Sequence, residues 1–421
     1  MIKKYFLPSL VILTVDALTN QRIGLSYNEQ EKEQKMRLSR LIILGSLLAW
    51  ILSSAVDLGA IWQSKRLTFN AGASWASAIA LDGSNIYVVW NDDTPGNYEI
   101  YFKKSADGGI TWQTARRLTV TGAYSISPAI AVNGSNIYVV WGEYDDVTLG
   151  DDIYFKKSSD RGATWQASKR LTNTTDDNYF PYISVAIAVD GLNIYVTWHD
   201  DTQGSKEIFS RKSSDGGAHW QAIQRLTYNS GTSADPVIAV RLSNVYVTWH
   251  DDTPGNEEIY FRKSADGGAT WQAAKRLSNT ASWSQASALA VSGSNVYVTW
   301  HDGTPGNNEI YFRKSADGGA NWQTIKRLTF TAGDSLCPSL GVNGSVVFIA
   351  WYDDTPGNNE IYFIRSGDGG ATWQPIQRLT NTSGWSGYPA LAINSSMVGI
   401  VYDDTTSGND EIYWKSSAGS F

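Results

Sequence analysis

The sequence is poor in cysteine, in basic charge and in long apolar runs, and each shortage excludes something. A single cysteine, Cys337, in 421 residues leaves no partner for an intrachain disulfide. The 34 lysines and arginines are outnumbered by 41 acids, which gives a net charge of −7. Because nucleic acids are bound through clustered Lys and Arg, this balance argues against a nucleic acid partner. The longest uncharged apolar run, residues 41–56, is shorter than the ~20 residues of a membrane-spanning helix.

The abundant residues indicate short strands and tight turns. Aromatic residues make up 12% of the chain, including 18 tryptophans, and there are 38 glycines. Aromatic residues favour strands, and glycine favours turns. A chain of this length can hold two or three ordinary domains or one large repeat domain. An internal repeat beyond residue 60 favours the repeat domain.

The first 59 residues lie outside the repeat and have the pattern of an export signal. Residues 36–40 are Met-Arg-Leu-Ser-Arg, and the apolar residues 41–56 follow directly. This order predicts a cleaved signal peptide, with an uncleaved membrane anchor or a buried helix as alternatives. We therefore expect a secreted, extracellular or periplasmic protein, or a membrane-anchored one whose remainder is exported. Lys32-Glu33 can be encoded by a purine-rich, ribosome-binding sequence, so Met36 is predicted to be the true start.

One pattern, Ser-x-Asp-x-Gly-x-x-Trp, recurs six times and sets the organisation of the chain. Successive copies lie 51 to 55 residues apart, a period typical of propellers and solenoids. The aspartates of the six copies are Asp107, Asp160, Asp215, Asp266, Asp317 and Asp368.

Each cycle of the repeat predicts four short antiparallel strands. In one cycle we expect them at residues 286–291, 295–300, 309–314 and 321–328, separated by turn sequences. No segment of the repeat predicts a helix, so each cycle is one propeller blade. The Arg-Leu-Thr/Ser marker occurs seven times. The sequence thus predicts an all-β fold, a seven-bladed β-propeller of four-stranded antiparallel blades over residues 60–421.

The last blade lacks a fourth strand of its own. Its second strand carries Val401 where the other six blades carry tryptophan, and the chain ends where its Ser-x-Asp-x-Gly-x-x-Trp copy would lie. Residues 61–68 match a fourth strand at their Trp-Gln and Lys-Arg-Leu-Thr positions. We therefore expect this N-terminal strand to join the three C-terminal strands and close the ring, which removes exposed sheet edges.

Every predicted third strand begins with an acid, and every fourth strand ends with an arginine. Antiparallel pairing places Ser105 near Thr111, and therefore Glu99 near Arg117. Such pairs contribute roughly 0.2–1 kcal/mol each and fix the register. The predicted pairs are Glu99–Arg117, Asp152–Arg170, Glu207–Arg225, Glu258–Arg276, Glu309–Arg327, Glu360–Arg378 and, across the closure, Glu411–Arg66.

The repeated pattern resembles the Asp box, or BNR repeat, of the sialidase-like propeller superfamily, and the resemblance covers residues 60–421. It implies that each box is a hairpin turn between the third and fourth strands. The Asp and Ser side chains then bond to the turn backbone, the glycine supplies an unusual backbone angle, and the tryptophan packs between blades. The residues permit the same reading, because Asp and Ser bond locally to backbone and glycine tolerates positive φ.

Family sialidases carry an arginine triad, one arginine usually within Arg-Ile-Pro, with a Tyr/Glu nucleophile pair and an Asp acid. This sequence contains no Arg-Ile-Pro. Nearly all its propeller arginines occupy repeated positions, and the exceptions include Arg161 in a box and Arg241 in a turn on the same face. Three convergent arginines are therefore missing, and we predict no catalytic residues.

The face opposite the boxes, formed by the B–C and D–A connections, is where this superfamily binds ligands. The B–C loops, often Asp-Asp-Thr-Pro-Gly-Asn, are interpreted as self-capped turns, with calcium binding or ligand contact as alternatives. They predict a ring of acids at Asp92, Asp145, Asp200, Asp251, Asp302, Asp353 and Asp403. Three histidines in one repeated position could donate hydrogen bonds to a ligand, or simply reflect duplication: His199, His250 and His301.

The D–A loops vary most between blades and carry aromatic residues outside the repeated core positions. Such rings either stack on the apolar faces of sugars or fill gaps between blades. The candidate ligand-binding aromatics are Trp75, Tyr124, Tyr179, Phe180, Trp283 and Trp385.

These features favour an exported, non-catalytic, monomeric propeller that binds a glycan or protein ligand without a cofactor. One alternative is a sialidase-like exo-glycosidase with a non-standard site, which would need two placed carboxylates. Another is a purely structural cell-surface module. A membrane would be contacted only through an N-terminal anchor.

Overall fold

The computed structural model describes residues 62–145, 150–173, 184–201 and 204–419. Within these ranges the chain forms 28 strands and no α-helix. None of the described segments is a helix long and apolar enough to span a bilayer. The predictions made for residues 1–59 fall outside the described residues.

The strands assemble into seven four-stranded antiparallel sheets, or blades. The first strands of blades 1 to 7 are β2 (Ser74–Asp82), β6 (Tyr124–Asn133), β10 (Val185–Asp190), β14 (Ser233–Arg241), β18 (Ser284–Ser292), β22 (Ser335–Asn343) and β26 (Ser386–Ile393). The second strands are β3 (Asn85–Asp92), β7 (Asn136–Asp145), β11 (Asn193–Asp200), β15 (Asn244–Asp251), β19 (Asn295–Asp302), β23 (Val346–Asp353) and β27 (Met397–Asp404).

The outer half of each blade repeats in the same way. The third strands are β4 (Glu99–Ser105), β8 (Gly150–Ser158), β12 (Glu207–Ser213), β16 (Glu258–Ser264), β20 (Glu309–Ser315), β24 (Glu360–Ser366) and β28 (Glu411–Ala418). The fourth strands are β5 (Arg116–Arg117), β9 (Lys169–Arg170), β13 (Gln224–Arg225), β17 (Lys275–Arg276), β21 (Lys326–Arg327), β25 (Gln377–Arg378) and, for blade 7, β1 (Gln63–Arg66).

The blades form a closed ring, as the sequence predicted. Strand β1 pairs with β28, so that Arg66 lies opposite Tyr413. The first strand of each blade contacts the first strand of the next, and β26 contacts β2. The chain is therefore a seven-bladed β-propeller whose last blade is completed by an N-terminal strand.

The fourth strands are shorter than predicted. In blade 5 the sequence predicted residues 321–328, but only Lys326–Arg327 pair with the third strand. After the box, the Gln323 backbone amide donates a hydrogen bond to the Lys314 carbonyl. The Arg313 Nε then donates a hydrogen bond to the Gln323 carbonyl. In blade 5 a side-chain donor takes the place of the ladder at this point, and the third and fourth strands pair again at Lys326.

All seven predicted ion pairs are confirmed, although the register behind them differs by two residues. Arg117 lies opposite Tyr101 rather than Glu99, and its side chain reaches diagonally to the glutamate at 2.5 Å. The carboxylates of the six glutamates are fully buried. The other pairs are Arg66–Glu411, Arg170–Asp152, Arg225–Glu207, Arg276–Glu258, Arg327–Glu309 and Arg378–Glu360.

The second strand of blade 7 lies one residue from its predicted alignment. Tyr402, not Val401, occupies the position of the tryptophans, and its ring stacks on Tyr413 with centroids 5.8 Å apart. The equivalent pair in blade 6 is Trp351 on Tyr362 at 6.1 Å. A smaller aromatic ring thus takes the tryptophan site in the blade that closes the ring.

Each Asp box is a hydrogen-bonded turn. In the fourth box, the Ser264 hydroxyl donates to Asp266 at 2.7 Å and accepts the Gly268 amide at 2.8 Å. Asp266 also accepts the Thr270 amide at 2.8 Å. In the next box, Trp322 packs edge-on against Phe261 of the preceding blade at 5.0 Å. The boxes therefore join neighbouring blades at one end of the ring, which we call the box face.

Candidate functional site

The opposite end of the ring, which we call the mouth face, is where first and third strands begin and second strands end. The predicted acids Asp92, Asp251, Asp302 and Asp353 are buried there. Asp251 accepts the Ser233 hydroxyl at 2.7 Å and the Thr253 amide at 3.0 Å, and the other three make equivalent contacts. These carboxylates hold the B–C turns in place.

Two members of the predicted ring of acids occupy other positions. In blade 2 the equivalent residue is Glu143, which lies opposite Ser125, and not Asp145. In blade 7 it is Asp404, whose carboxylate accepts the Ser386 hydroxyl at 2.7 Å. Asp403 instead takes the position that the histidines take in blades 3 to 5. Longer or shifted strand ends caused both misalignments.

The three histidines are buried, and two of them link neighbouring blades. His199 Nδ1 accepts the amide of Asp235 in blade 4 at 3.2 Å, and His301 Nδ1 accepts the amide of Cys337 in blade 6 at 3.4 Å. Burial, helped by the nearby His250, lowers the pKa of His301 to about 4. A neutral imidazole that accepts at Nδ1 carries its proton on Nε2. His199 and His301 therefore act first as bridges between blades, whereas His250 lies beside Asp235 of its own blade.

The amides that reach these side chains belong to β-bulges that sequence reasoning missed. Six first strands bulge near the mouth face, and each bulge holds a non-glycine residue at positive φ. Bulges of this kind redirect side chains and often adjoin functional sites. A detectable signal was the proline that follows in four of them, because proline inside a strand marks a bulge. The residues at positive φ are Ala76, Ser127, Asp235, Ala286, Cys337 and Tyr388.

The bulge residues are of five chemical types, with alanine used twice, so they make the mouth face asymmetric. Asp235 lies between two histidines, with carboxylate oxygens 3.8 Å from Nδ1 of both His199 and His250. Burial raises the pKa of the Cys337 thiol to about 11, and the charge of Asp235 adds to this. Blades 3 to 6 therefore present a polar, histidine-rich sector.

Blades 6 and 7 present a first aromatic group: Tyr352, Trp385 and Tyr388. Their ring centroids lie 5.4 to 5.9 Å apart in all three combinations. A Cβ at Gly387 would collide with the Trp385 indole, so glycine at this position lets the ring fold onto its neighbours. Tyr388 is 50% exposed despite these contacts. The three rings therefore form a packed aromatic surface that is exposed to solvent on one side.

Blades 1 and 2 present a second aromatic group: Trp75, Tyr98, Tyr124 and Tyr144. Trp75 meets Tyr98 edge-on at 5.6 Å, and Tyr98 lies 6.1 Å from Tyr124. Tyr124 stacks on Tyr144 at 6.2 Å. Of the four rings, only Tyr144 is buried, so the other three retain partly accessible surface.

The remaining predicted aromatics do not join either group. Trp283 stands apart on blade 5, 51% exposed, and its Nε1 donates to the Asn308 amide oxygen at 3.2 Å. Tyr179 and Phe180 lie outside the described residues. The structure thus brings together Trp75 with Tyr124, and Trp385 with two tyrosines that the sequence had not singled out.

A buried carboxyl, Asp403, lies at the junction of blades 7 and 1. Its Oδ2 accepts the Ala76 amide at 3.2 Å, and its Oδ1 has no hydrogen-bond partner among the described residues. Burial raises the pKa of Asp403 well above its usual range. Burial, together with the charge of Asp93, also raises the pKa of Asp410. This junction therefore favours the protonated form of at least one acid.

The acidic loops carry carboxylates, which are the oxygen ligands that calcium prefers. Within the described parts of the chain, no three His, Cys, Asp or Glu side chains are grouped as a metal site requires. Calcium binding stays a prediction.

Comparison with known proteins places the ring among established propellers. The model of a family described as a BNR repeat-like domain matches residues 138–328 and 188–402. The xyloglucanase Xgh74A of Acetivibrio thermocellus is 24% identical in an alignment 305 residues long, which covers 61% of this chain and 32% of that protein. The chain therefore spans about a third of the length of this curated relative.

Solved structures share the fold at low sequence identity. The phage phi92 endosialidase is 10% identical, with a TM-score of 0.53 over 86% of this chain and 70% of that one. The polysaccharide lyase Uly1 is also 10% identical, with a TM-score of 0.55 over 81% of this chain and 89% of that one. At this identity the likeness concerns the fold alone.

Proposed function

The chain belongs to the BNR repeat-like domain family, and on that premise we propose that it is an exported, non-catalytic propeller that binds glycans on its mouth face. Residues 60–421 are the binding domain, and residues 1–59 are the signal or anchor that delivers it. The curated relative is named a xyloglucanase, and this name supports a carbohydrate ligand.

The observation that carries the proposal is the pair of aromatic groups at the mouth face. Saccharides present flat, apolar C–H faces that stack on aromatic rings, and hydroxyls that bond to neighbouring polar groups. The sequence pattern predicted D–A loops at Trp75 and Tyr124, but these residues lie at the mouth-face ends of strands β2 and β6, and Trp385 directly precedes β26. Blades 3 to 6 carry the polar sector of Asp235 and the histidines. Rings that only filled gaps between blades would have no reason to gather into two groups with open sides.

The second candidate function is glycoside hydrolysis, and Asp403 is the observation that favours it. A carboxyl with a raised pKa can serve as a general acid, and hydrolysis requires a second carboxylate to act beside it. Asp403 is buried, however, and its contact is a backbone amide of the next blade. A panel of chromogenic glycosides tests this candidate, which would be favoured by turnover that Asp403→Asn abolishes.

A glycan array with the purified propeller tests the proposed function, followed by calorimetry on each ligand found. Trp385→Ala should weaken binding about tenfold, since one aromatic stacking contact is worth up to roughly 1.4 kcal/mol. The matched control is Phe330→Ala, which removes a 74% exposed ring that belongs to neither group. Equal losses in the two variants, or no glycan bound at all, would count against the proposal.

A further inference from the structure

From the distribution of charge around the aromatic groups we infer that the ligand is an uncharged, linear saccharide long enough to contact both groups, and that the mouth face rejects anionic sugars. This inference rests on the proposed glycan binding and adds the class of glycan. It depends on three features: the engaged arginines, the accessible acids, and the spacing of the aromatic groups around the ring.

The arginines of the mouth face are already occupied. Arg327 donates from Nη2 to the buried Glu309 at 2.8 Å and from Nε to the Thr329 carbonyl at 2.8 Å. The same ion pair recurs in all seven blades. Removing such an arginine from a buried carboxylate to bind a ligand would leave that carboxylate uncompensated, which is strongly unfavourable. These guanidinium groups therefore stabilise the blades and do not serve as an anion site.

Most other basic side chains reach toward the box face or the neighbouring blade. Lys65, Arg116 and Lys326 donate to carbonyls within the next box along the ring. Arg262 and Arg313 donate to leucine carbonyls of the preceding blade. Among the described residues, Lys206 is the one further cation at a third-strand start on the mouth face. Residues 146–149, 174–183 and 202–203 contain no Lys or Arg.

Acids, by contrast, remain accessible around the mouth. Asp235 keeps 32% of its side chain exposed between the two histidines. Asp354 is exposed in its B–C loop, Asp93 and Asp410 are partly exposed in theirs, and Asp334 is partly exposed in the D–A connection before β22. Anionic sugars are ordinarily held by Arg or Lys, and like charges brought together cost free energy. Among the described residues, a carboxylated or sulfated ligand would meet this field with Lys206 of blade 3 as the one cation outside the seven ion pairs at the third-strand starts.

The charge around Asp410 also disfavours an anionic ligand. Burial and the charge of Asp93 raise its pKa, so the junction of blades 7 and 1 already resists negative charge. That junction lies between the two aromatic groups, which stand on blades 6 and 7 and on blades 1 and 2. A ligand touching both groups must cross it, and an uncharged one does so without electrostatic cost.

The shape of the junction favours a linear chain. At the bulge position blade 7 presents the large ring of Tyr388, but blade 1 presents only the methyl group of Ala76, and blade 2 the small Ser127. Small side chains between two aromatic surfaces leave room for an extended ligand. A monosaccharide would contact one group, whereas an oligosaccharide would gain the second contact as an intramolecular step.

Calorimetry with the full chain and matched oligosaccharides tests the inference. The probes are neutral cello-, xylo-, manno- and xyloglucan oligosaccharides from two to six units, hexagalacturonate, sialyllactose and a fully deacetylated chitin hexamer. At least one neutral series should bind, with affinity rising tenfold or more from dimer to hexamer. Trp75→Ala and Trp385→Ala should each weaken binding of that hexamer about tenfold, whereas only one of them should weaken binding of the dimer.

Charge-reversal variants separate electrostatics from shape. Asp235→Lys should raise affinity for hexagalacturonate at least fivefold relative to the neutral hexamer. Asp190→Lys makes the same change at the box face, where salt screening over about 8 Å removes its influence. A charged oligosaccharide, anionic or cationic, that binds as tightly as any neutral one would overturn the inference while leaving glycan binding intact, as would an affinity independent of length. Failure of every saccharide to bind would remove the proposed function itself.

Discussion

The box face and the mouth face are built from the same seven blades, yet they differ in how strictly they repeat. At the box face, six turns use the same serine, aspartate and glycine contacts, and basic side chains from one blade bond to the box of the next. At the mouth face, the bulge position holds Ala, Ser, Asp, Cys or Tyr. The box face therefore holds the contacts that join the blades, whereas the mouth face holds the residues that distinguish this ring from other propellers.

The largest effect should come from a box glycine. In Gly319→Ala the new Cβ would lie 2.5 Å from Phe261 Cε1 at a φ of +87°, so we expect a loss of about 3 kcal/mol in urea unfolding. Gly268→Ala is the matched control. It has the same turn and a φ of +86°, but its nearest neighbour is Tyr195 Cε1 at 3.6 Å, because Ser210 replaces the phenylalanine. The control should lose about 1 kcal/mol; equal losses would show that packing between blades does not constrain this face.

At the mouth face a substitution should stabilise the protein. Asp403 has a raised pKa, so its folded form keeps a proton that the unfolded chain releases above pH ~4. Stability therefore falls as the pH rises from that point toward the folded pKa. Asp403→Asn removes this cost, about 1.4 kcal/mol for each unit of the pKa difference, and its amide oxygen can still accept the Ala76 amide. Thermal unfolding at pH 4 and pH 7 checks this: the gain should appear at pH 7 and disappear at pH 4.

A smaller gain is expected where one blade departs from the glycine pattern of the box face. Leu242 lies at φ +55° in a turn where five other blades place glycine, such as Gly293 at +62°, and it is 71% exposed. Leu242→Gly should raise stability by about 1 kcal/mol, since non-glycine residues are strained in this conformation. Leu192→Gly, an exposed leucine outside the positive-φ position, is the control and should not stabilise. If Leu242→Gly were less stable than the parent, the leucine side chain would make a stabilising contact that outweighs the backbone strain.

The smallest effect concerns the acid sensitivity of the boxes. The hydroxyl and amide of Thr111 lower the pKa of Asp107 to about 2, from an ordinary value of 3.8. A carboxyl whose pKa is lowered by folding stabilises the fold above its unfolded value and stops doing so as the pH falls through the folded value. Asp107→Asn should therefore be less stable than the parent at pH 7, with the difference vanishing near pH 2. A difference that persists at pH 2 would indicate a steric cause.

The regular part of the fold was predictable because it repeats. The alternation of apolar residues gave the first three strands of each blade, and the position of Glu309 and Arg327 at matching strand ends gave the ion pairs. The length of the fourth strands was not predictable from the pattern. Each is two residues long in blades 1 to 6, whether the position of Arg313 holds arginine, lysine or, in blade 6, Ile364. The separation of the strands after the box therefore depends on three-dimensional geometry that leaves no periodic trace in the sequence.

The candidate site was predictable only in outline. The variable D–A loops drew attention to Trp75 and Trp385, but Tyr388 escaped notice because it lies within a strand, where an outward position was the natural expectation. A bulge places it in the aromatic group, and the signal was a single following proline. The contact of Asp235 with His250 likewise joins two strands of one blade at a bulge. Such contacts arise from local irregularities of the strands. A prediction based on the repeat does not find them, because it describes only the features that the blades share.

The closure by β1 sets the order in which this molecule can finish folding. Residues Gln63–Arg66 leave the ribosome before any blade exists, yet their partners Tyr413 to Ser416 belong to the last blade to be made, and Arg66 and Glu411 are 345 positions apart in the sequence. Contacts between such distant residues form late and slowly. The first piece of the ring to be synthesised must therefore remain unpaired until the seventh blade has emerged, and the final step in folding the ring joins these two strands.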